Sequence, residues 1–187
     1  MYTETTKYLS MPELQPGLDH IRQSPQDQGE LMMIVIRPNI DERTIVDKGT
    51  LHPHFGLLGD TWQARGSKHT PDGSANINTQ ITIMNARLID LLAQSQERWP
   101  LAGDQLYVDL NMSDDNLPPG TRLAIGSAIL EVSAELHSGC KKFSDRFGVD
   151  ALKFVNSPEG KQLHLRGINT SVIQGGEIRV GEVVKKI

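Results

Sequence analysis

Short apolar runs separated by glycine and proline turns dominate the pattern of hydrophobic and polar positions along this chain. Residues 31–36 form a continuous apolar run, which is typical of a strand buried on both faces. Residues 79–84 alternate between polar and apolar side chains, as a half-buried strand does. Glycine pairs or turns predict one hairpin centred on Gly126-Ser127 and another on Gly175-Gly176. Further strands are predicted at 43–48, 122–125, 128–132, 168–173 and 177–180.

Few segments have the spacing of an amphipathic helix. Asn85 is a suitable N-cap for a helix that continues to about residue 98, with leucines on one side. The Ser10–Glu13 capping box predicts a short helix over 11–23, interrupted near Pro16. Residues 49–78 are punctuated by glycines and are expected to form a long loop. Two further helices are predicted, over 145–154 and after Ser157-Pro158.

About seven short strands with tight turns and few helices favour a mainly β protein. We expect a closed or nearly closed β-barrel with a few peripheral helices, because closure removes the unpaired edges of strands this apolar. The polar composition of residues 1–30 predicts an N-terminal extension, either a short helix or a tail, and residues 31–187 are expected to form the barrel domain.

The composition narrows the class of protein. A chain of 187 residues suits one domain with a single main core. Its net charge of −4 argues against sequence-independent binding of nucleic acid. No apolar run approaches the roughly 20 residues that span a bilayer, so no membrane partner is expected. One cysteine and no recognisable export signal predict a cytoplasmic location.

The single cysteine, Cys140, is the strongest candidate for chemistry. One thiol cannot form an internal disulfide, so Cys140 contributes either packing or reactivity. A thiolate attacks electrophiles, carries sulfur or binds a soft metal, and His137, Lys141 and Lys142 would all favour that anion. Gly139 places no side chain beside the sulfur. We therefore interpret Cys140, His137 and Lys141 as candidate catalytic residues and Cys140 as a candidate metal ligand, with burial of the thiol as the alternative.

Other polar residues are weaker candidates. Basic residues in or beside the predicted loops would form an anion pocket if the fold gathers them around the cysteine; otherwise they form a solvated rim. The loop histidines and Asp60 also have a spacing that zinc sites use, but no Cys-x-x-Cys or His-x-x-x-His pattern supports one. Phosphate-loop and serine-hydrolase motifs are absent from the sequence. The residues proposed to line an anion or cofactor pocket are Asp60, Arg65, His69, Lys142 and Arg166, and the zinc alternative comprises His52, His54, Asp60 and His69.

Several motifs, taken in order, resemble a known family. They are the segments 56–60, 79–85 and 117–132, the lone Cys140, and the segments 166–168 and 175–182. Their order resembles the molybdenum cofactor sulfurase C-terminal (MOSC) domain, in the form of a standalone bacterial-type member, from about Leu31 to the C-terminus. The resemblance implies a MOSC-type β-barrel in which Cys140 either carries sulfur as a persulfide or binds the molybdenum of molybdenum cofactor (molybdopterin).

The resemblance also implies partners. A sulfur donor of the cysteine desulfurase type and a metal–sulfur acceptor are expected, and pyridoxal phosphate would be bound only by a partner sulfurase. Some standalone relatives reduce N-hydroxylated compounds with molybdenum cofactor, which is one alternative. The other is a non-catalytic anion-binding barrel. It is favoured by two departures from the family pattern, 71–78 in place of a His-Gly-Gly stretch and Gln105 in place of asparagine; Gly139 in place of proline is a third departure.

Overall fold

The structure is a computed structural model that describes residues 7–187. Its helices are α1 (Met11–Leu14), α2 (Gly17–Arg22), α3 (Trp62–Arg65), α4 (Ala86–Ala93), α5 (Lys141–Phe147), α6 (Val149–Asn156) and α7 (Pro158–Gln162), with 3-10 turns at Ile77–Thr79 and Gln96–Ala102. Its strands are β1 (Gln28–Ile36), β2 (Thr44–Val46), β3 (Lys48–His52), β4 (Gly56–Leu57), β5 (Ile81–Asn85), β6 (Leu106–Asp109), β7 (Arg122–Ile125), β8 (Ala128–Val132), β9 (Ile168–Gln174), β10 (Gly176–Arg179) and β11 (Val183–Lys186).

Seven of the strands close into a barrel, in the order β1-β6-β5-β9-β8-β7-β11 and back to β1. Strands β5 and β6 pair in parallel and the other neighbours are antiparallel, so the barrel is mixed. Strand β2 pairs with the C-terminal part of β1 beyond the segment that pairs with β11. The predicted fold class, a closed β-barrel with a few peripheral helices, is therefore confirmed.

A β-bulge in β1 lets this strand serve two apolar cores. The register against β6 shifts between Leu31 and Met33, so that Leu31 belongs to the barrel interior while Met33 packs among the helices outside. The interior is filled by aliphatic side chains such as Ile83. The second core lies between the barrel wall and the helices, including α1 and α2, which contribute Leu14 and Leu18.

Local turn chemistry is as predicted at several points. Asn85 accepts a hydrogen bond from the amide of Leu88 and so caps α4, although α4 ends at Ala93. Ser157 caps α7 through the amide of Gly160. The N-terminal helix is interrupted near Pro16, as expected. The helix expected over 145–154 is two helices, α5 and α6, because Gly148 between them adopts a φ of 93°.

The predicted hairpin at Gly175-Gly176 is wrong in its pairing. Both strands exist, but β9 pairs with β5 and β8, whereas β10 joins β3 and β4 in a separate three-stranded sheet. A Cβ at Gly176 would lie 2.4 Å from Ser127 Oγ, so glycine there permits close packing on the β7–β8 turn. The expected loop 49–78 contains part of this sheet and α3. No helix within residues 7–187 is long and apolar enough to cross a membrane.

Candidate functional site: a cationic pocket beside Cys140

Cys140 lies at the N-terminal end of α5, and it is exposed. The segment that carries it is fixed from behind by Asn156 of α6. The amide of Gly139 donates to Asn156 Oδ1 at 2.9 Å, and Asn156 Nδ2 donates to the carbonyl of Gly139 at 3.1 Å. A Cβ at Gly139 would lie 2.7 Å from Leu152 Cδ1. Glycine here therefore permits close packing against Leu152 of α6, which would have to shift to admit a larger residue, and it also leaves space beside the sulfur.

The cysteine lines a cavity of about 300 Å³ that is strongly cationic. We call this cavity the cysteine pocket. Its described lining includes six cations and no carboxylate, so an anion entering it meets only positive charge at the wall. The remaining lining side chains are small, polar or aromatic. The lining residues are Arg37, Arg43, Arg65, Thr79, Thr82, Ala102, Gly103, His137, Cys140, Lys142, Phe143, Arg146 and Arg166.

Asp60 organises one side of the cysteine pocket from behind it. Its carboxylate, whose side chain is fully buried, accepts hydrogen bonds from Arg37 Nε at 2.7 Å and Arg37 Nη2 at 2.8 Å. It also accepts from the backbone amide of Trp62 at the start of α3. The remaining Arg37 nitrogen, Nη1, donates to the carbonyl of Gly103. Asp60 thus connects the end of β1 to α3 and, through α3, sets the position of Arg65.

The opposite side is built around Arg166, Asp104 and His137. Arg166 Nη1 donates to Asp104 Oδ2 at 2.7 Å, and its guanidinium lies 5.0 Å above the ring of Phe143. Asp104 is fully buried, and burial raises the pKa of its carboxyl despite Arg166. Arg166 Nε and Asp104 Oδ1 are buried without a hydrogen-bond partner among residues 7–187. This side of the pocket therefore retains unused hydrogen-bonding capacity.

His137 does not supply the positive charge that the sequence suggested. Burial, reinforced by repulsion from Arg166 and Arg37, lowers the pKa of its imidazole well below 6.5. The ring is accordingly neutral at pH 7 and contributes no cation to a thiolate at Cys140. Its Nδ1 atom lies 3.6 Å from Asp104 Oδ1 and has no partner among the described residues.

The cations themselves are crowded. Burial, and then repulsion from Arg146 and Arg37, lowers the pKa of Arg43. Partial burial and the neighbouring Arg37 likewise lower the pKa of Arg65. Repulsion between these cations and the incomplete solvation of each charge are both unfavourable. A bound anion offsets both effects. The arrangement is thus electrostatically suited to a phosphate-bearing or other multiply charged anion.

The two lysines after the cysteine point in different directions. Lys142 lines the cysteine pocket and pairs with Asp41 at 3.2 Å. Lys141 is 87% exposed and pairs with Asp145 one turn along α5, at 3.0 Å, so it lies outside the pocket lining. Adjacent positions on a helix are separated by about 100°, which explains the divergence.

The structure brings together Cys140, His137, Arg65, Lys142 and Arg166. It places Asp60 behind the wall as the partner of Arg37, Lys141 on the outer face of α5, and His69 in an exposed turn after α3. Sequence reasoning missed three further cations of the wall. Only Arg37 had a signal in the sequence, because it directly follows the apolar run of β1. The missed residues are Arg37, Arg43 and Arg146.

The histidine-rich loop does not form a metal-binding group. His52 and His54 have ring centroids 5.7 Å apart, and His52 also lies against Phe55. Within residues 7–187 no three histidine, cysteine or acidic side chains are arranged to hold a metal ion. The zinc alternative for the loop therefore has no geometric support.

Gln105, the residue that replaces the expected asparagine, has a clear structural task. Its side-chain oxygen accepts hydrogen bonds from the amide and hydroxyl of Thr82, both at 2.8 Å, and its nitrogen donates to the carbonyl of Gln80. These bonds connect the starts of β5 and β6, and Gln105 directly follows Gly103 and Asp104 in the chain.

A family model for the MOSC domain matches residues 74–185 of the chain. The fold is similar to that of the YuaD protein from Bacillus subtilis, with 17% identity, a TM-score of 0.64, and coverage of 85% of this chain and 95% of that one. It is also similar to YiiM from Escherichia coli, with 17% identity, a TM-score of 0.55, and coverage of 84% and 69%. YiiM from Geobacillus stearothermophilus gives 14% identity and a TM-score of 0.56, with coverage of 85% and 75%. A search of the curated proteins found no match.

Proposed function

Because the chain belongs to the MOSC domain family, we propose that it binds molybdenum cofactor in the cysteine pocket, with the sulfur of Cys140 as a ligand to the metal. The observation that carries this proposal is an exposed thiol on the lining of a pocket that has six cations and no described carboxylate. A thiolate is a soft ligand, and arginines are the preferred partners of phosphate oxygens.

The residues of the pocket fit both the molybdenum end and the phosphate end of molybdenum cofactor. Arg43 Nε and Arg166 Nε are buried donors with no partner among residues 7–187, and both belong to side chains that line the pocket. Unsatisfied buried donors are costly, so an anionic oxygen that accepts from them is stabilised strongly. Cys140 would hold the metal end, while Arg43, Arg65 and Arg166 would hold the phosphate end. When bound, the cofactor supplies a molybdenum centre that can exchange oxygen and sulfur ligands.

A second role for Cys140, as a sulfur carrier, is favoured by the exposure of its side chain. In this role the Cys140 thiolate attacks the terminal sulfur of a donor persulfide. An S–S bond forms at Cys140, the S–S bond of the donor breaks, and the donor leaves as a thiolate that takes up a proton. The wall cations would stabilise the resulting persulfide anion.

Co-expression with the cofactor pathway, followed by metal analysis, tests the first role. We expect about one molybdenum per chain in the wild type and a loss of most of it in Cys140→Ser. The matched control is the neighbouring pair of lysines: Lys142→Ala removes a pocket cation and should lower the molybdenum content, whereas Lys141→Ala should not. Wild-type protein without molybdenum, or equal content in Cys140→Ser, would overturn the proposal and leave an anion-binding barrel.

Mass spectrometry of the intact chain tests the second role separately. Incubation with a persulfide donor should add one sulfur atom, removable by a thiol reductant, to the wild type and not to Cys140→Ser. The absence of this addition would exclude the carrier role without affecting the cofactor proposal.

A further inference from the structure

A second cavity, of about 450 Å³, adjoins the cysteine pocket on the side of the β1–β2 connection. We call it the outer cavity. Four cations line both cavities, so an anion in either cavity interacts electrostatically with the same side chains. The shared residues are Arg37, Arg43, Arg65 and Lys142, and the outer cavity adds Asn39, Ile40, Asp41, Thr61 and Lys68.

The outer cavity contains cations that the rest of the fold does not use. The side chains of Arg65 and Lys68 form no hydrogen bond or ion pair with any described residue. The one carboxylate in the lining, Asp41, is already shared between Lys142 at 3.2 Å and Arg146 at 3.0 Å. Both residues are exposed, so their charged groups are accessible to a ligand anion.

The charge count indicates more than one phosphate. Seven cations line the two cavities, and three carboxylates, Asp41, Asp60 and Asp104, pair with some of them. About four positive charges remain. The Cys140 thiolate offsets one of these, and a phosphate monoester carries only about 1.5 to 2 negative charges at pH 7, so one such group still leaves about one positive charge uncompensated.

We propose that the two cavities together bind a diphosphate ester, with one phosphate in the cysteine pocket and the second in the outer cavity, across the shared arginines. The inference rests on the proposed function, and it narrows the ligand: a cofactor that occupies both cavities carries a diphosphate linkage, as in a dinucleotide form, instead of a single terminal phosphate. Arg43 and Arg65, which face both cavities, are the side chains that would bridge the two groups.

Calorimetric titration of the full chain with inorganic phosphate and with pyrophosphate, at fixed ionic strength, tests this inference. Because a second set of charge-assisted hydrogen bonds forms, pyrophosphate should bind at least roughly tenfold more tightly than phosphate. Lys68→Ala removes a cation that lines only the outer cavity, so it should weaken pyrophosphate binding by a larger factor than phosphate binding. The matched control is Lys153→Ala, which removes the same charge from a lysine that is 67% exposed and lines neither cavity.

Equal affinities for the two anions would overturn the inference, as would equal effects of Lys68→Ala and Lys153→Ala. A further titration with a nucleoside diphosphate identifies which kind of molecule carries the diphosphate linkage. Binding as tight as that of pyrophosphate supports a free nucleotide, and release of a nucleotide in proportion to molybdenum from co-expressed protein supports a dinucleotide cofactor. The probes contain neither molybdenum nor sulfur. Failure of the metal analysis with Cys140→Ser is thus distinguishable from failure of the diphosphate inference.

Discussion

Asn156 forms hydrogen bonds with both the backbone amide and the backbone carbonyl of Gly139, and so connects the segment that carries Cys140 to helix α6. The two bonds form a closed ring in which Asn156 acts as donor and acceptor together. Gly139 also packs closely on Leu152 of α6, because a Cβ at this position would lie 2.7 Å from Leu152 Cδ1. The position of the thiol is therefore determined by the packing of α6 on the barrel as well as by the pocket itself.

Asn156→Ala is expected to loosen this segment. Both hydrogen bonds to Gly139 are lost, and the partly buried amide and carbonyl are left without protein partners, which should lower the free energy of unfolding by about 1–3 kcal/mol. Urea denaturation measures the loss, and hydrogen exchange should show reduced protection of the Gly139 amide.

Asn156→Asp is the matched control for this variant. It retains an acceptor for the Gly139 amide but places a carboxylate oxygen, which repels the Gly139 carbonyl, where the donor was, so that amide should stay better protected than in Asn156→Ala. Equal loss of protection in both variants would show that the bond to the amide does not hold the segment.

Turn chemistry was predictable from the sequence because it is local. Gly126 adopts a φ of 54° in the β7–β8 hairpin, a conformation that glycine accepts without strain. The paired glycines at Gly175-Gly176 gave an equally strong local signal but a wrong partner. Their lack of side chains serves close packing on β3 and on the β7–β8 turn, which are distant in sequence. A turn signal specifies backbone freedom and does not specify which strand pairs next.

The pocket was only partly predictable for the same reason. Cys140, His137 and Lys142 are close in sequence, so their proximity was expected. Arg37 at the end of β1 and Arg43 before β2 join them only because the barrel closes. Lys141, a candidate catalytic residue in the sequence, lies outside the pocket lining because helical rotation directs it away, toward Asp145.

Stability should depend on the charge state of His137. Its pKa is lowered below 6.5 in the folded protein, so the unfolded chain binds more protons than the folded one as the pH falls through 6.5. This group therefore destabilises the fold below pH 6.5, by at most about 1.4 kcal/mol per pH unit, until its folded pKa is reached. The raised pKa of Asp104 acts in the opposite sense, since its contribution is lost as the pH rises from 3.8 through the folded value.

His137→Gln distinguishes the pH-dependent contribution of His137 to stability from that of Asp104. The free energy of unfolding of the wild type, relative to this variant, should rise between pH 5 and about pH 6.5 and then level off. Thermal or urea unfolding at a series of pH values measures the difference. A pH-independent difference would mean that the imidazole titrates normally in the folded protein.

Gln105 should be important for stability and not for anion binding. Gln105→Met keeps the size of the side chain but leaves the partly buried Thr82 amide and the buried Gln80 carbonyl without their partner. We expect a loss of about 1–3 kcal/mol in the free energy of unfolding. Gln63→Met, at an exposed position of α3, should change it by less than about 0.5 kcal/mol. Phosphate affinity measured by calorimetry should be preserved in Gln105→Met, and a large loss of affinity would assign Gln105 to the pocket.

Alkylation of Cys140 relates the thiol to the anion pocket directly. Because the side chain is exposed, iodoacetamide should modify it completely in the native protein. Phosphate bound among the wall cations should slow the reaction by covering the sulfur. Lys142→Ala should reduce that protection by roughly twofold to fivefold, the range expected for a partly exposed charge pair. Lys141→Ala should leave it unchanged, since that lysine pairs with Asp145 outside the pocket. If phosphate at saturating concentration leaves the alkylation rate of the wild type unchanged, the thiol and the anion do not share a site.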